Sequence, residues 1–485
     1  MKADPQSCTI KLKRCAYLSL VISMTLPFSF SARAQRYVNS YKLYPKDSSF
    51  RYLQPDIPKK HFGRAATELV LAEVVPWTID RYIRKADYAK ISFKTVGHNL
   101  NLNNWAWDND EFQTNQFGHP YHGNYFFNTF RTNGYSFWQS APAAFVGSYI
   151  WETAAENQAP APNDFINTSF GGIILGEMTY RLSNKIVNNR SRGLKRQASE
   201  VLALLVNPVN GINRLLDGKW GKIYGNSTDH DSSRLQVEFD AGLRNFSVNN
   251  KSPFKNGRFG WYGRIKLLYG DANQNFKVPF TNITILTEFG QDDSTKLNIV
   301  SVYGSLTGWK IYGKNNTHLA ILSANYDYYH NAAFFFGAQS VKMNLYSQVN
   351  LPGKFVLNTS FGLGPVLLAA VPDPHLYNGR NYDYGPGFAI NAGGRVSFDS
   401  KVSLGVNYRG GWMKTLNGNK SDYFLHAISN EFIYALLNGF SLSAEAGYFN
   451  LHGNYADFDD TDKKYPYVRL SVRFITGYNK SIIKQ

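Results

Sequence analysis

The sequence predicts a mainly β fold: a transmembrane antiparallel β-barrel of about 12 strands, preceded by helices that form a plug or a periplasmic cap. Three observations predict it. The 485 residues are aromatic-rich, with 15% Phe, Trp and Tyr, and charge-poor, with 18% Asp, Glu, Lys and Arg, below the roughly 25% usual in soluble domains. Residues 233–478 alternate apolar and polar side chains in runs of the length a tilted membrane strand needs. From residue 350 on, tight connections alternate with long ones, as in barrels with short periplasmic turns and longer outer loops.

The alternation is plain in Leu235, Val237, Phe239, Ala241 and Leu243, separated by Gln236, Glu238, Asp240 and Gly242. It recurs in Val402, Leu404, Val406 and Tyr408, and in Val468, Leu470, Val472 and Phe474. The intervening polar positions carry charges of both signs, which suits a lumen. Strands are expected near 234–247, 258–269, 281–290, 296–310, 317–329, 333–349, 354–369, 383–398, 401–414, 421–436, 439–452 and 465–478. Gly304 and Gly308 interrupt the fourth. The tight connections are Leu351-Pro352-Gly353, Asp399-Ser400 and Asn438-Gly439; the long ones are 371–382, 415–420 and 453–464. The rival is a soluble lipocalin-like or sandwich fold, which the aromatic-rich strand ends disfavour.

Residues 1–34 read as a secretory signal peptide. Lys11, Lys13 and Arg14 precede an apolar run over 15–30, and Ala32-Arg33-Ala34 is a cleavage site. Both cysteines, Cys8 and Cys15, fall in it, so the mature chain has no disulfide and no thiolate ligand or nucleophile. Removal of the signal takes away five basic residues and one acidic residue, leaving a formal charge of +13 from +17. In an exported chain that charge points to anionic lipid headgroups rather than nucleic acid. The expected location is the outer membrane, with the barrel-assembly machinery as a partner during biogenesis. The expected divisions are the signal, an extended lead-in over 35–61, a helical domain over 62–220 and a barrel over 221–485.

Helices are expected over 65–84 with a kink at Pro76, over 122–156 with breaks near Gly134 and Pro142, over 163–188 with Asn163 or Asp164 as N-cap, and over 194–206. Gly171, Gly172 and Gly176 carry small-residue spacing that suits close helix approach. Four ionisable residues stand out in these charge-poor segments: His119, Glu152, Glu156 and Asp164. Glu152 and Glu156 share a helix face at a spacing of four. An unpaired charge there costs several kcal/mol, so the four are expected to converge on one site where helices meet barrel. They are the candidate catalytic acid–base set, with His122, Arg131 and Glu177 as further polar members. The alternative is purely structural hydrogen bonding. Compact ligand spacing such as HExxH is missing, so neither metal nor cofactor is expected. Arg190, Arg192, Lys195 and Arg196 form a basic run that could meet lipid phosphate. The sequence has no G-x-S-x-G elbow, phosphate loop or dinucleotide fingerprint.

The run Asn115-Gln116-Phe117-Gly118-His119-Pro120-Tyr121-His122-Gly123, then Arg131-Thr132-Asn133-Gly134-Tyr135, Trp151-Glu152, Glu156, Pro162-Asn163-Asp164, Gly171-Gly172 and Gly176-Glu177 resembles the bacterial envelope family known as domain of unknown function 3943. The resemblance covers about residues 100–220. It implies an exported envelope protein without assigning an activity. Glu156, Asp164, Asn167, Gly171 and Gly176 are also faintly similar to the VanZ-like helical motif. The functional expectation is an outer-membrane barrel that binds, passes or organises a lipid or other amphiphile. The alternative is an outer-membrane enzyme modifying lipid or lipopolysaccharide through the His/carboxylate set.

Overall fold

A computed structural model describes residues 59–189, 191–222, 235–248, 252–270, 278–292, 296–312, 316–332 and 335–476. The signal segment, most of the lead-in and Arg190 lie outside the described residues. Helices are α1 (Phe62–Thr78), α2 (Phe93–Asn99), α3 (His119–Arg131), α4 (Phe137–Ile150), α5 (Pro162–Ile166), α6 (Gly172–Val187), α7 (Leu194–Val206) and α8 (Pro208–Leu216). Twelve strands follow: β1 (Leu235–Phe246), β2 (Arg258–Tyr269), β3 (Ile283–Gly290), β4 (Leu297–Tyr312), β5 (Asn316–His330), β6 (Phe335–Leu351), β7 (Phe355–Tyr377), β8 (Arg380–Phe398), β9 (Val402–Lys414), β10 (Ser421–Ala435), β11 (Phe440–Tyr455) and β12 (Thr461–Ile475). Each pairs antiparallel with its neighbours, and β12 closes the barrel on β1 through pairs such as Leu243 with Leu470.

The tight turns form where sequence reading places them. Asn438 and Gly439 both take positive φ, as do Asp399 and Ser400. The interruption expected in β4 is a register shift between Ser305 and Thr307, and the strand continues through it. The stretch 371–382 is not the long loop expected. β7 and β8 run through it to a two-residue hairpin, Asn378-Gly379, with φ of 50° and 85°. Asn-Gly is the pair that favours two consecutive positive φ angles, matching the twist of the flanking strands. Likewise β11 and β12 extend into 453–464 and leave only 456–460 between them. Pro142 does not break α4; it lies within the helix, where it removes one backbone donor.

The barrel wall has two chemistries. Outward positions hold Phe361, Leu363, Leu404, Val406, Phe432, Leu442, Leu470 and Val472, all exposed, with Leu404 at 55%. Inward positions hold Asp240, Arg264, Glu431, Glu445, Arg469 and Arg473. These join in one network. Arg264 contacts Asp240 at 2.7 Å and Glu445 at 3.0 Å; Arg473 contacts Asp240 at 2.6 Å and Glu431 at 2.5 Å; Arg469 contacts Glu288 at 2.8 Å.

The chain divides into two compact units. Of the described residues, the smaller gathers 59–68 with Asn128–Ser140, 179–189 and 191–222. Its ties include a bidentate Arg214–Glu200 pair at 2.9 Å and Arg64–Asp217 at 2.5 Å. The larger unit comprises Leu69–Phe127, Ala141–Met178 and the whole barrel. Within it, α3 and α6 touch backbone to backbone: a Cβ on Gly172 would lie 2.6 Å from the Gly123 Cα. That is the close approach expected of the glycine spacing.

Within the larger unit, segment 105–118 meets the outside of the barrel. Tyr326 and Tyr328 of β5 and Tyr382 and Tyr384 of β8 alternate with the inward-facing Asp327, Tyr329 and Asp383, so they face outward, yet they are fully buried. Phe112 packs on Tyr328 and Tyr382, the Tyr326 hydroxyl donates to the Gln116 carbonyl, and the Tyr382 hydroxyl donates to the Asp110 carbonyl at 2.7 Å. The cavity lining consists of strand and turn residues. Of the two arrangements expected, plug or cap, the described residues of this unit show no plug: segment 105–118 packs on the outer wall. The physical reason is the tyrosine hydroxyls: at that level of the wall they need polar partners, and this segment supplies them.

Candidate functional site

Four π-helical turns shape the helical segments: Ile79–Ile83, Thr114–Gly118, Trp151–Ala155 and Asn167–Gly171. A π turn widens the helix by one residue and re-aims the side chains beside it, which is why such turns collect at functional sites. Here they carry the polar set. His119 follows the second directly, Glu152 lies in the third, and Thr168 lies in the fourth.

His119, Glu152 and Asp164 converge. One ligand-capable atom from each lies within 4.8 Å of the others. His119 Nε2 is 3.6 Å from Asp164 Oδ1, and its Nδ1 is 3.2 Å from the Thr168 hydroxyl. Glu152 Oε2 accepts from the Ala161 N–H at 2.8 Å, and Asp164 Oδ1 accepts from Asn163 Nδ2 at 2.8 Å. Glu152 is 2% exposed and Asp164 4%.

A second layer connects the cluster to the barrel. Asp108 Oδ1 accepts from both Asn115 Nδ2 (2.6 Å) and Asn163 Nδ2 (2.7 Å). The same two amides reach the Tyr384 hydroxyl at 2.9 and 3.2 Å. Arg380 donates to the Asp108 carbonyl at 2.9 Å and is otherwise held by Tyr382 and Asn417. Sequence reading missed Asp108, Arg380, Tyr382 and Tyr384, and had Asn115 only within the run that carries the family resemblance. The only signal for them was polar residues dense among aromatics, in WAWDND and NGRNYDYG.

The electrostatics are one-sided. Burial pushes the Glu152 and Asp164 carboxyls well above the usual range, and neighbouring acids, including Asp108 and Asp110, push them further. Burial drives His119 downward, so its imidazole is held neutral. Glu156 rises to about 7, chiefly through burial, against a 2.7 Å hydrogen bond from Trp151 Nε1. That bond turns Glu156 towards Trp151 and out of the converging trio. A neutral imidazole beside protonated carboxyls can relay a proton; the same three groups, deprotonated, can hold a cation.

The other expected members divide. His122 lies 4.5 Å from the Trp151 ring and bonds the Ala72 carbonyl at 3.2 Å; burial lowers it to about 4. Glu177 is fully buried in α6. Arg131 stacks on Tyr180 at 4.1 Å and donates to the Tyr135 carbonyl. In the basic run, Arg192 and Lys195 are exposed. Arg196 is not available to lipid phosphate: it is buried, pairs with Glu200 at 2.7 Å and donates to the Val187 carbonyl.

Glu73 on α1 has a different character. It is buried, neither carboxylate oxygen has a partner, and desolvation raises it to about 9. Between pH 4.5 and about 9 the unfolded chain loses this proton while the folded chain keeps it. Stability therefore falls as pH rises through that window, on the order of 1 kcal/mol per pH unit. Glu73→Gln should flatten the dependence in thermal melts of the detergent-solubilised protein. An unchanged slope would contradict the assignment.

The family model described as "Domain of unknown function (DUF3943)" matches residues 104–209. The match covers the trio and both asparagines. No curated protein matches the chain. Among solved structures the chain is similar to the KdgM porin (11% identity, 49% of this chain and 98% of that one, TM-score 0.26) and to the NanC porin (11%, 50% and 99%, 0.28). It is also similar to an outer membrane channel from Pseudomonas putida F1 (9%, 51% and 97%, 0.30). TM-scores this low add nothing to what the strand topology already shows.

Proposed function

We propose that the protein is an outer-membrane barrel whose lumen binds or passes a small amphiphile. One observation carries this reading: the cavity changes character along its strands. It encloses about 760 Å³. Towards the outer-loop end, Tyr423 and Leu425 of β10, Phe449 and Leu451 of β11, and Val366, Ala369, Val371 and Met413 form an apolar wall. Further along the same two strands stand Glu431 and Glu445, within the arginine network. An apolar body thus finds apolar wall, and a polar head finds both donors and acceptors. The exposed apolar belt outside supports a membrane setting.

Titration of a dansylated medium-chain fatty acid into the protein in lipid nanodiscs tests this. Saturable binding that weakens at least tenfold in Leu451→Arg supports the lumen site. No saturable binding, or binding indifferent to Leu451→Arg, contradicts it. A second reading, an enzyme acting on lipid or lipopolysaccharide, rests on the buried trio and its displaced proton affinities. For that reading Glu152→Gln should abolish a lipid change in the envelope while the barrel still folds.

A further inference from the structure

We infer that His119, Glu152 and Asp164 form a site for a divalent first-row transition ion, with zinc the best match. The proposal is independent of the lumen.

The first support is geometry. Zinc bonds imidazole nitrogen and carboxylate oxygen at about 2.0–2.2 Å, so ligand atoms in a tetrahedral set stand about 3.4 Å apart. His119 Nε2 and Asp164 Oδ1 stand 3.6 Å apart, and the whole trio fits within 4.8 Å. Side-chain shifts of about 1 Å or less close the set on an ion.

The second support is how the three are held. Metal-bound histidines fix their orientation through the other ring nitrogen, and ligand carboxylates are themselves hydrogen-bonded. His119 Nδ1 rests on Thr168, which leaves Nε2 to the site. Glu152 Oε2 is held by a backbone N–H and Asp164 Oδ1 by Asn163.

The third support is charge balance. The charged groups that act most on Glu152 are Glu156, Asp108 and Asp110, and those that act most on Asp164 are Asp108, Glu152, Glu156 and Asp110, all acids. Two other buried carboxylates, Glu200 and Asp240, have guanidinium partners. Neither Glu152 nor Asp164 has a guanidinium partner among the described residues. A divalent ion would supply the missing positive charge. Three protein ligands would leave a position open to water or to an oxygen ligand, the arrangement of catalytic rather than structural zinc.

The test uses the full-length protein, purified in detergent, stripped with chelator and titrated calorimetrically with Zn²⁺ and separately with Mn²⁺. Expected are one ion per chain, a raised melting temperature, and proton release on binding because the carboxyls must deprotonate. Glu152→Gln and Asp164→Asn keep side-chain volume and should each weaken binding at least tenfold; His119→Ala should do the same. His375→Ala, remote from the trio in sequence and on the β7 hairpin, should bind as the parent does. Failure of the chelated protein to bind either ion would overturn the site. So would binding that survives Glu152→Gln and Asp164→Asn, or that is lost in His375→Ala.

Discussion

Gly123→Ala is expected to destabilise the helical part of the larger unit by about 3 kcal/mol or more. A Cβ on Gly123 would lie 1.8 Å from the Thr168 carbonyl oxygen and 3.0 Å from the Gly172 Cα. Both obstacles are backbone, so no rotamer change relieves them. α3 would have to move off the π turn at Asn167–Gly171. That turn carries Thr168, whose hydroxyl meets His119. The substitution should therefore open the His119–Glu152–Asp164 cluster as well as lower the melting temperature. Gly97→Ala is the control, because a Cβ there meets nothing within 4 Å and alanine favours its helix. Circular dichroism melts of the two variants in detergent check this. Equal stability of Gly123→Ala and Gly97→Ala would mean that α3 and α6 do not cross as described.

The barrel was legible because its signal is local. Period-2 alternation in Val402–Tyr408 or Val468–Phe474 fixes a strand and its faces without knowledge of the partner strand. Asn438-Gly439 and Asp399-Ser400 mark turns by their own conformational preferences. The error at 371–382 shows the limit of the same logic. Asn378-Gly379 is a hairpin signal, but the prolines at 372 and 374 and the run of polar residues read as loop. What holds the outward face of β8 there is Asn115 and Asp108, more than 260 residues earlier.

The candidate site was half legible. Ionisable residues in charge-poor segments had to find one another, and His119, Glu152 and Asp164 do. Their exact convergence depends on three π turns, for which helical spacing gives no warning. Glu152 and Glu156 illustrate this. Their spacing of four puts them on one face of a regular helix, but a π turn at Trp151–Ala155 and an extended backbone at Glu156 break that register, and Glu156 bonds Trp151. Arg196 failed as a lipid contact for a related reason. A basic run looks solvated until one member finds a carboxylate one turn away, here Glu200.

That the outer face of the barrel meets lipid is tested most directly by Val406→Arg beside Asn407→Arg. The two residues are adjacent on β9. Val406 points outward and is 43% exposed in the apolar belt, whereas Asn407 lines the cavity. Arginine on the lipid side near mid-bilayer costs about 2–4 kcal/mol, while a lumen position next to existing charges tolerates it. Folding free energies measured by denaturant titration in lipid vesicles should show Val406→Arg weakened by about that amount and Asn407→Arg within about 1 kcal/mol of the parent. Equal losses in the two variants, or the larger loss in Asn407→Arg, would contradict a membrane-spanning barrel with these faces.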